Sequence, residues 1–101
     1  MAGIVNRLPP IHPGEILREE VLKSLGLSSH GFARKLRVPA TRIHEILHGR
    51  RAVTADTAIR LARYLGTTAG FWMNLQTSYD LKVAERLHGK QIQREVSARA
   101  S

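Results

Sequence analysis

The sequence predicts an all-α domain built from five helices. Proline and glycine interrupt the 101 residues and leave blocks of helix length between them. Within each block the apolar residues recur every three or four positions, the spacing that places them on one face of an α-helix. No block shows the alternation of apolar and polar residues, rich in β-branched side chains, that is typical of a strand.

The first predicted helix begins at Pro13, because proline suits the first turn of a helix, and it ends at Gly26. Four apolar residues at helical spacing form its inner face: Ile16, Leu17, Val21 and Leu25. Residues 1–12 are predicted to be an N-terminal extension that lies over the domain or helps to bind a partner. Within it, His12 is predicted to be a surface or cap residue.

Two short helices joined by a tight turn are predicted next. Ser28 caps a helix over residues 28–36. Val38-Pro39 ends this helix, because the residue before a proline avoids the α region. A third helix follows over residues 40–48. Its spacing brings together the apolar side chains of the contact between the two helices, namely Ala33, Val38, Ile43 and Ile46.

Two longer helices complete the predicted domain. Thr54 caps the fourth, and the fifth runs from its cap, Thr68, to about His88. The fourth helix is predicted to bury Ala55, Ala58, Ile59, Ala62 and Leu65, with Leu61 at the edge. The fifth carries a stripe of Phe71, Leu75, Tyr79, Val83 and Leu87, widened by Trp72 and Leu81. The domain thus spans residues 13–89, and residues 90–101 form a polar tail, frayed or loosely helical.

Charge and composition limit the function classes. The net charge is +8, and residues 34–63 alone carry eight bases and two acids. Such clustering is typical of proteins that bind polyanions, although a solvated basic face is the alternative. The absence of cysteine excludes disulfides and thiolate chemistry and fits a reducing cytoplasm. No apolar stretch is long enough to span a bilayer, and residues 1–8 lack the apolar region of a secretory signal, so no membrane partner is expected.

The two short helices indicate a function. Their corner has the form of a helix-turn-helix, whose second helix enters the major groove of DNA with its N-terminus leading. The residues predicted to read bases lie on the outward or forward face of that helix: Ala40, Thr41, Arg42, His44 and Glu45. Threonine can contact a thymine methyl, arginine a guanine or a phosphate, and glutamate a cytosine amino group. The cations predicted to contact the DNA backbone flank this helix: Arg34, Lys35, Arg37, Arg50 and Arg51.

The same helix contains a zinc-binding pattern. His44-Glu45-Ile46-Leu47-His48 matches H-E-x-x-H, in which two histidines bind zinc and the glutamate activates water. A third ligand is missing, because Thr54 stands where the longer form of the motif has a histidine. So small a domain also offers no cleft for a peptide substrate. A zinc hydrolase is therefore the least favoured function, and we expect neither a catalytic residue nor a cofactor. Metal binding by the two histidines without catalysis is a further alternative.

The fifth helix has more apolar surface than one small core needs. The excess is consistent with a dimer interface, because a two-fold DNA site calls for a two-fold protein. Trp72, Tyr79 and Val83 are the candidate interface residues, since aromatic side chains are enriched in interfaces. The alternative for Trp72 and Tyr79 is a place in the core of the monomer.

Three segments carry a family resemblance. They are Ile11 to Leu17 (IHPGEIL), residues 54–66, which begin TADTAIRLA, and Phe71 to Gln76 (FWMNLQ). On these segments the chain resembles the HigA-type (VapI-like) antitoxins of the Xre/lambda-repressor-like helix-turn-helix superfamily. The resemblance covers roughly residues 11–89.

The resemblance implies a five-helix lambda-repressor-like domain that dimerises and represses its own promoter at a palindromic operator. It further implies a partner, a small RelE-like ribonuclease toxin that the protein neutralises. A free-standing transcriptional regulator without a toxin is the alternative, and it would use the same DNA-reading face.

Individual positions depart from the family pattern. Ser29 stands where the family usually has a glutamine that contacts the DNA backbone, and Arg37 replaces the usual glycine of the turn. Thr41 stands where asparagine is common, and His44 where a small hydroxyl residue is usual. The operator sequence therefore does not follow from the resemblance.

Overall fold

The computed structural model describes residues 9–100, which form five helices and, within that range, no strand. Helix α1 consists of three consecutive segments: Pro13–Ile16, the π-helical Leu17–Leu22 and Lys23–Leu25. The other helices are α2 (Ser29–Leu36), α3 (Ala40–Leu47), α4 (Ala55–Leu65) and α5 (Ala69–Glu95). The predicted all-α class is confirmed. Most of the predicted N-terminal extension lies outside the described residues. Over the described range, no helix combines the length and apolar character needed to cross a membrane.

Helix α1 changes pitch in its middle, and this changes its buried face. Leu17 and Leu22 are buried, whereas Ile16 and Val21 are only half-buried and Leu25 is exposed. The predicted face assumed a regular α-helix. In a π-helix the hydrogen bond spans five residues instead of four, so the turn is wider and positions five apart, such as Leu17 and Leu22, come closer to the same side than in an α-helix.

Of the three helix caps predicted at serine and threonine, two are confirmed. The Ser28 hydroxyl accepts a hydrogen bond from the Gly31 N–H at 3.0 Å, and the Thr68 hydroxyl accepts one from the Phe71 N–H at 3.1 Å. Each bond satisfies one of the free donors at the start of a helix. Thr54 occupies the N-cap position of α4, but its side chain makes no capping hydrogen bond.

The core lies where all five helices meet. Its buried apolar residues are Leu17, Leu22, Phe32, Ala33, Leu36, Ile43, Ile46, Leu47, Val53, Ala58, Leu61 and Trp72. The predicted contact between the two short helices is confirmed, because Ala33, Ile43 and Ile46 are buried there and Val38 packs against them. Helix α1 comes so close to α3 at Gly14 that a Cβ there would overlap the Ile46 carbonyl oxygen.

The predicted inner face of α4 is wrong by part of a turn. Thr57, Ala58 and Leu61 are buried, whereas Ile59 is 61% exposed. Two apolar stripes lie side by side on this helix. The contacts of α4 with α2 and α5 decide which stripe is buried, and the spacing of apolar residues alone does not reveal these contacts.

Helix α5 continues past its predicted end, through Gly89, to Glu95. A glycine inside a helix costs about 1 kcal/mol relative to alanine, which good helix formers on either side can offset. Gln91 adds a side-chain hydrogen bond to Glu95 at 3.0 Å, one turn along the helix. The first half of the predicted tail, residues 90–95, therefore belongs to α5.

Candidate nucleic-acid interface

The turn between α2 and α3 is left-handed and is made by an arginine. Arg37 has φ +60°, and it is the one residue other than glycine with a positive φ among residues 9–100. The Val38 N–H donates to the Ala33 carbonyl at 3.1 Å and closes the turn. A left-handed L-residue costs about 1–2 kcal/mol, which is why glycine is usual at such a position. The turn leaves the Arg37 side chain exposed beside α3.

Two arginines from other helices hold the ends of α2 and α3 in place. Arg60 of α4 donates to the Leu36 carbonyl at 3.0 Å, and Arg18 of α1 donates to the Leu47 carbonyl at 2.8 Å. The last carbonyls of a helix have no partner within that helix, so these bonds complete α2 and α3. Sequence reasoning gave neither arginine a role. Their hydrogen bonds tie the ends of the two helices to α1 and α4.

Two of the residues predicted to read bases lie on the outward face of α3. Thr41 and His44 are exposed, and they lie three positions apart on one side of the helix. Ala40 is half-buried and packs against the core at the start of α3. Thr41 and His44 thus form the accessible part of this face.

The other two predicted base-reading residues take part in ion pairs. Arg42 lies 3.4 Å from an Asp56 oxygen, and Arg60 lies 2.7 Å from the same oxygen. Glu45 pairs with Arg51 at 2.7 Å. Hydrogen bonding from Arg60, together with the charge of Arg42, holds the pKa of Asp56 below its usual value. Asp56 is therefore ionised at neutral pH and holds Arg42 against the start of α4.

Four of the five predicted backbone-contacting cations line two depressions that share Arg37. Arg34 and Lys35, in the last turn of α2, line one of them. The second is a recess of about 260 Å³ between the turn, α3 and α4, and Arg51 reaches it from the loop after α3. Arg50 is exposed in that loop, and Ser29 is the half-buried first residue of α2. Positive charge is thus concentrated around α3.

A buried amide anchors the loop that carries Arg50 and Arg51. The Gln76 side-chain oxygen of α5 accepts a hydrogen bond from the Val53 N–H at 2.8 Å, and its amide donates to Asp80 at 2.9 Å. Gln76 is 4% exposed, so this bond lies inside the protein. Gln76 belongs to the third segment of the family resemblance, but no role was predicted for it.

Comparison with known proteins agrees with this geometry. A family model described as Helix-turn-helix matches residues 18–72, more than half of the chain. Virulence-associated protein I of Dichelobacter nodosus is 58% identical over 81 residues, which is 80% of this chain and 75% of that protein. A HigA-family addiction module antidote protein from Coxiella burnetii has a similar structure, with a TM-score of 0.86 and 48% identity. The similarity covers 91% of this chain and 100% of that one. The chain belongs to the HigA-type helix-turn-helix family.

A second HigA relative has been solved on DNA. Pseudomonas aeruginosa antitoxin HigA, in a structure with the higBA promoter, is 47% identical with a TM-score of 0.87. The similarity covers 90% of this chain and 99% of that one. The predicted family and the five-helix lambda-repressor-like fold are confirmed.

Trp72 is buried in the core of the monomer. Its prediction as a dimer-interface residue is therefore wrong, and the alternative, a place in the core, is confirmed. It is 2% exposed, and its indole N–H donates to the Thr67 hydroxyl at 2.8 Å. The ring fills the space where α5 packs onto the core, and it leaves no surface for a second chain. Tyr79 and Val83 are half-buried, and the Tyr79 ring lies edge-on to His12 with the centroids 4.9 Å apart.

His12 caps α1 from a buried position. Its Nδ1 accepts a hydrogen bond from the Gly14 N–H at 2.9 Å, which requires an unprotonated nitrogen. Burial lowers the pKa of His12 below its usual value, although a backbone hydrogen bond involving Arg51 and the charge of Asp80 oppose the change. Of the two predicted roles, the structure shows the cap and not the surface position.

The H-E-x-x-H pattern places two histidine rings side by side. The His44 and His48 centroids are 4.4 Å apart, with an angle of 41° between the ring planes. In the described part of the chain, these two residues do not belong to any group of three or more possible metal ligands. The glutamate between them, Glu45, is paired with Arg51. The geometry lends no support to a hydrolytic zinc centre.

Proposed function

We propose that the chain is an antitoxin that also represses its own promoter. It binds a palindromic operator as a homodimer and neutralises a small RelE-like ribonuclease toxin, which places it in the cytoplasm. The observation that carries the DNA-binding part is the exposed face of α3, with Thr41 and His44 accessible and with cations on the adjoining turn and loop. The promoter complex of the Pseudomonas aeruginosa relative supports this part.

In this proposal the contacts divide into those that read bases and those that position the protein. Thr41 and His44 of α3 face the base edges of the major groove. Arg42 and Glu45 reach bases only by leaving their ion pairs, a modest cost for exposed pairs. The backbone-contacting set is Ser29, Arg34, Lys35, Arg37, Arg50 and Arg51, which bind phosphates without reading sequence.

The homodimer forms through the outward face of α5. Leu81 and Ile92 are 58% and 51% exposed. They lie eleven positions apart, close to three helical turns, and so share one face. The core-facing Trp72 lies nine positions before Leu81, which puts it on the opposite side of the helix. A second copy of this chain is the natural occupant of the outward face, because a palindrome presents two half-sites related by a two-fold axis. Tyr79 and Val83 lie on the half-buried side and remain candidates at the border of this interface.

Operator binding is tested by titrating the chain into a labelled duplex from the DNA upstream of its gene. We expect saturable binding that weakens steeply with salt, because each phosphate contact releases counterions. Arg42→Ala should weaken it, while Arg94→Ala, which removes an exposed arginine near the end of α5, should change it little. Equal affinity of the Arg42 variant and the unaltered chain would remove Arg42 from the proposed interface.

The antitoxin role is tested by purifying a tagged chain from its native cells and identifying the proteins that co-purify with it. A small protein recovered in near-stoichiometric amount, whose RNA cleavage is blocked by the added chain, is the expected result. If only DNA-dependent material is recovered, the chain is a free-standing regulator and the antitoxin part of the proposal fails.

A further inference from the structure

We propose that His44 and His48 form a two-ligand site for a divalent first-row transition metal, and that metal bound there competes with operator DNA. The first half stands on the geometry of α3 alone. The second half rests on the proposed function, because it requires the same face to contact DNA.

The two side chains are placed as a pair of metal ligands one helical turn apart. Both are exposed, and their ring centroids are 4.4 Å apart. A metal bound at 2.0–2.1 Å from an imidazole nitrogen lies about 3.2 Å from the ring centroid. Two rings on one ion, at a ligand angle of about 90–110°, then have centroids about 4.5–5.2 Å apart. The observed separation of 4.4 Å lies just below this range, so binding requires a small rotation of either ring that moves the centroids slightly apart.

A hydrogen bond already sets the tautomer of His48. Its Nδ1 lies 2.9 Å from the His44 carbonyl oxygen. A carbonyl can only accept, so Nδ1 carries the proton and Nε2 is left with its lone pair. Metal-binding histidines are commonly oriented in this way by a carbonyl or a carboxylate. The helix backbone thus supplies the orienting partner for the second ligand.

The ligand type limits the cations that the site accepts. Two neutral imidazoles suit zinc, copper and nickel, whereas magnesium and calcium prefer oxygen. The nearest carboxylate in sequence, Glu45, is held by Arg51 at 2.7 Å. Water completes the coordination, so the affinity is moderate and the bound metal exchanges with solution.

Competition with DNA follows from the position of the pair on α3. His44 is one of the two accessible residues on the proposed base-reading face, and His48 lies one turn further along the same face. A hydrated cation between the rings engages the nitrogens that would otherwise face base edges. It also fills the space between α3 and the floor of the groove.

The metal site is tested by calorimetric titration of the untagged full chain with Zn²⁺. We expect one ion per chain, and His44→Gln or His48→Gln should weaken binding about tenfold or more, because the second ligand then no longer acts at high effective concentration. His30→Gln and His88→Gln are matched controls, since each removes an exposed histidine elsewhere. Equal loss in all four variants, or no loss in any, would overturn the site.

Competition is tested by titrating the promoter duplex with the chain in Zn²⁺ and in a chelator. With Zn²⁺ at about ten times its dissociation constant, the apparent operator affinity should fall about tenfold for the unaltered chain. For His48→Gln, which binds Zn²⁺ about tenfold or more weakly, the same Zn²⁺ concentration should lower the operator affinity by about twofold or less. An operator affinity that Zn²⁺ raises or leaves unchanged would overturn the competition. A chain that binds no promoter DNA overturns both the competition and the proposed function, whereas the calorimetric stoichiometry decides the metal site by itself.

Discussion

Single residues set the geometry of the DNA-reading corner, and not all of them are the residue types that sequence patterns favour. Arg37 adopts a left-handed conformation that usually belongs to glycine, and in doing so it presents a cation beside α3. The family comparison drew attention to this substitution, whereas its φ value and its place in the recess emerge only from the structure. The left-handed conformation of Arg37 is unfavourable for the backbone, but it places a positive charge next to the proposed interface.

Gly14 is required by the close approach of α1 to α3. Gly14→Ala would place a Cβ onto the Ile46 carbonyl oxygen, and backbone atoms cannot move aside as a flexible side chain can. We expect the free energy of unfolding to fall by about 1–3 kcal/mol or more, measured by urea denaturation.

The matched control for Gly14 is Gly70→Ala, in the first turn of α5. No atom lies within 4 Å of a Cβ there, so alanine should leave the stability unchanged or raise it by up to about 1 kcal/mol. Equal effects of the two substitutions would show that the contact between α1 and α3 is looser than described.

His12 makes the stability depend on pH. Its pKa is lowered in the folded protein, so the neutral form is the one that the fold favours. Stability is then fully present above the pKa of the unfolded chain, about 6.5, and is lost as the pH falls through the lower folded value. We expect the melting temperature to fall between about pH 7.5 and pH 5.5. The melting temperature of the His12→Asn variant should fall less over this pH range, because asparagine keeps a capping acceptor but does not titrate. If the melting temperatures of the two proteins changed in parallel with pH, His12 would not be the source of the pH dependence.

At the level of elements, the sequence predicted the helices well and their contacts less well. The caps Ser28 and Thr68 are local signals, because each acts on a backbone N–H three residues away. The π-helical turn of α1 and the continuation of α5 through Gly89 depend on packing and on neighbouring residues, so no local rule revealed them.

The candidate site shows the same division between local and distant effects. The exposure of Thr41 and His44 follows from the position of the buried Ile43 and Ile46 on one short helix. The partner of Arg42, in contrast, is Asp56 of the next helix, and fourteen positions of chain separate them. Spacing along the chain cannot reveal such a pair.

The bond from Gln76 to Val53 connects α5 to the loop between α3 and α4. Gln76→Leu would leave the buried Val53 N–H without an acceptor, which costs about 1–3 kcal/mol of unfolding free energy. Because that loop carries Arg50 and Arg51, operator affinity should fall as well. The same change at Gln91, exposed on the same helix, removes only a surface hydrogen bond to Glu95 and should affect both quantities much less. An unaltered operator affinity in a destabilised Gln76 variant would show that the loop position does not matter for binding.

For the whole molecule, operator binding and dimerisation should be coupled. Leu81→Asp places a charge on the proposed α5 interface, so the variant should be monomeric by analytical ultracentrifugation and should bind the operator more weakly. Leu25→Asp is the control, because Leu25 is also exposed and apolar but lies at the end of α1. If the Leu81 variant remained dimeric, the dimer interface would not include Leu81, and Tyr79 and Val83 would be the next candidates.

Helix α3 is proposed to read the operator through Thr41 and His44. The most direct test compares the affinities of the unaltered chain and a Thr41→Ala/His44→Ala variant for the promoter duplex and for a scrambled duplex of the same length. We expect the variant to lose affinity for the promoter, by about 1–3 kcal/mol for each good base contact, and to keep its affinity for the scrambled DNA. Equal losses on both duplexes, or no loss on either, would contradict it, because the two side chains would then hold phosphates or make no contact with DNA.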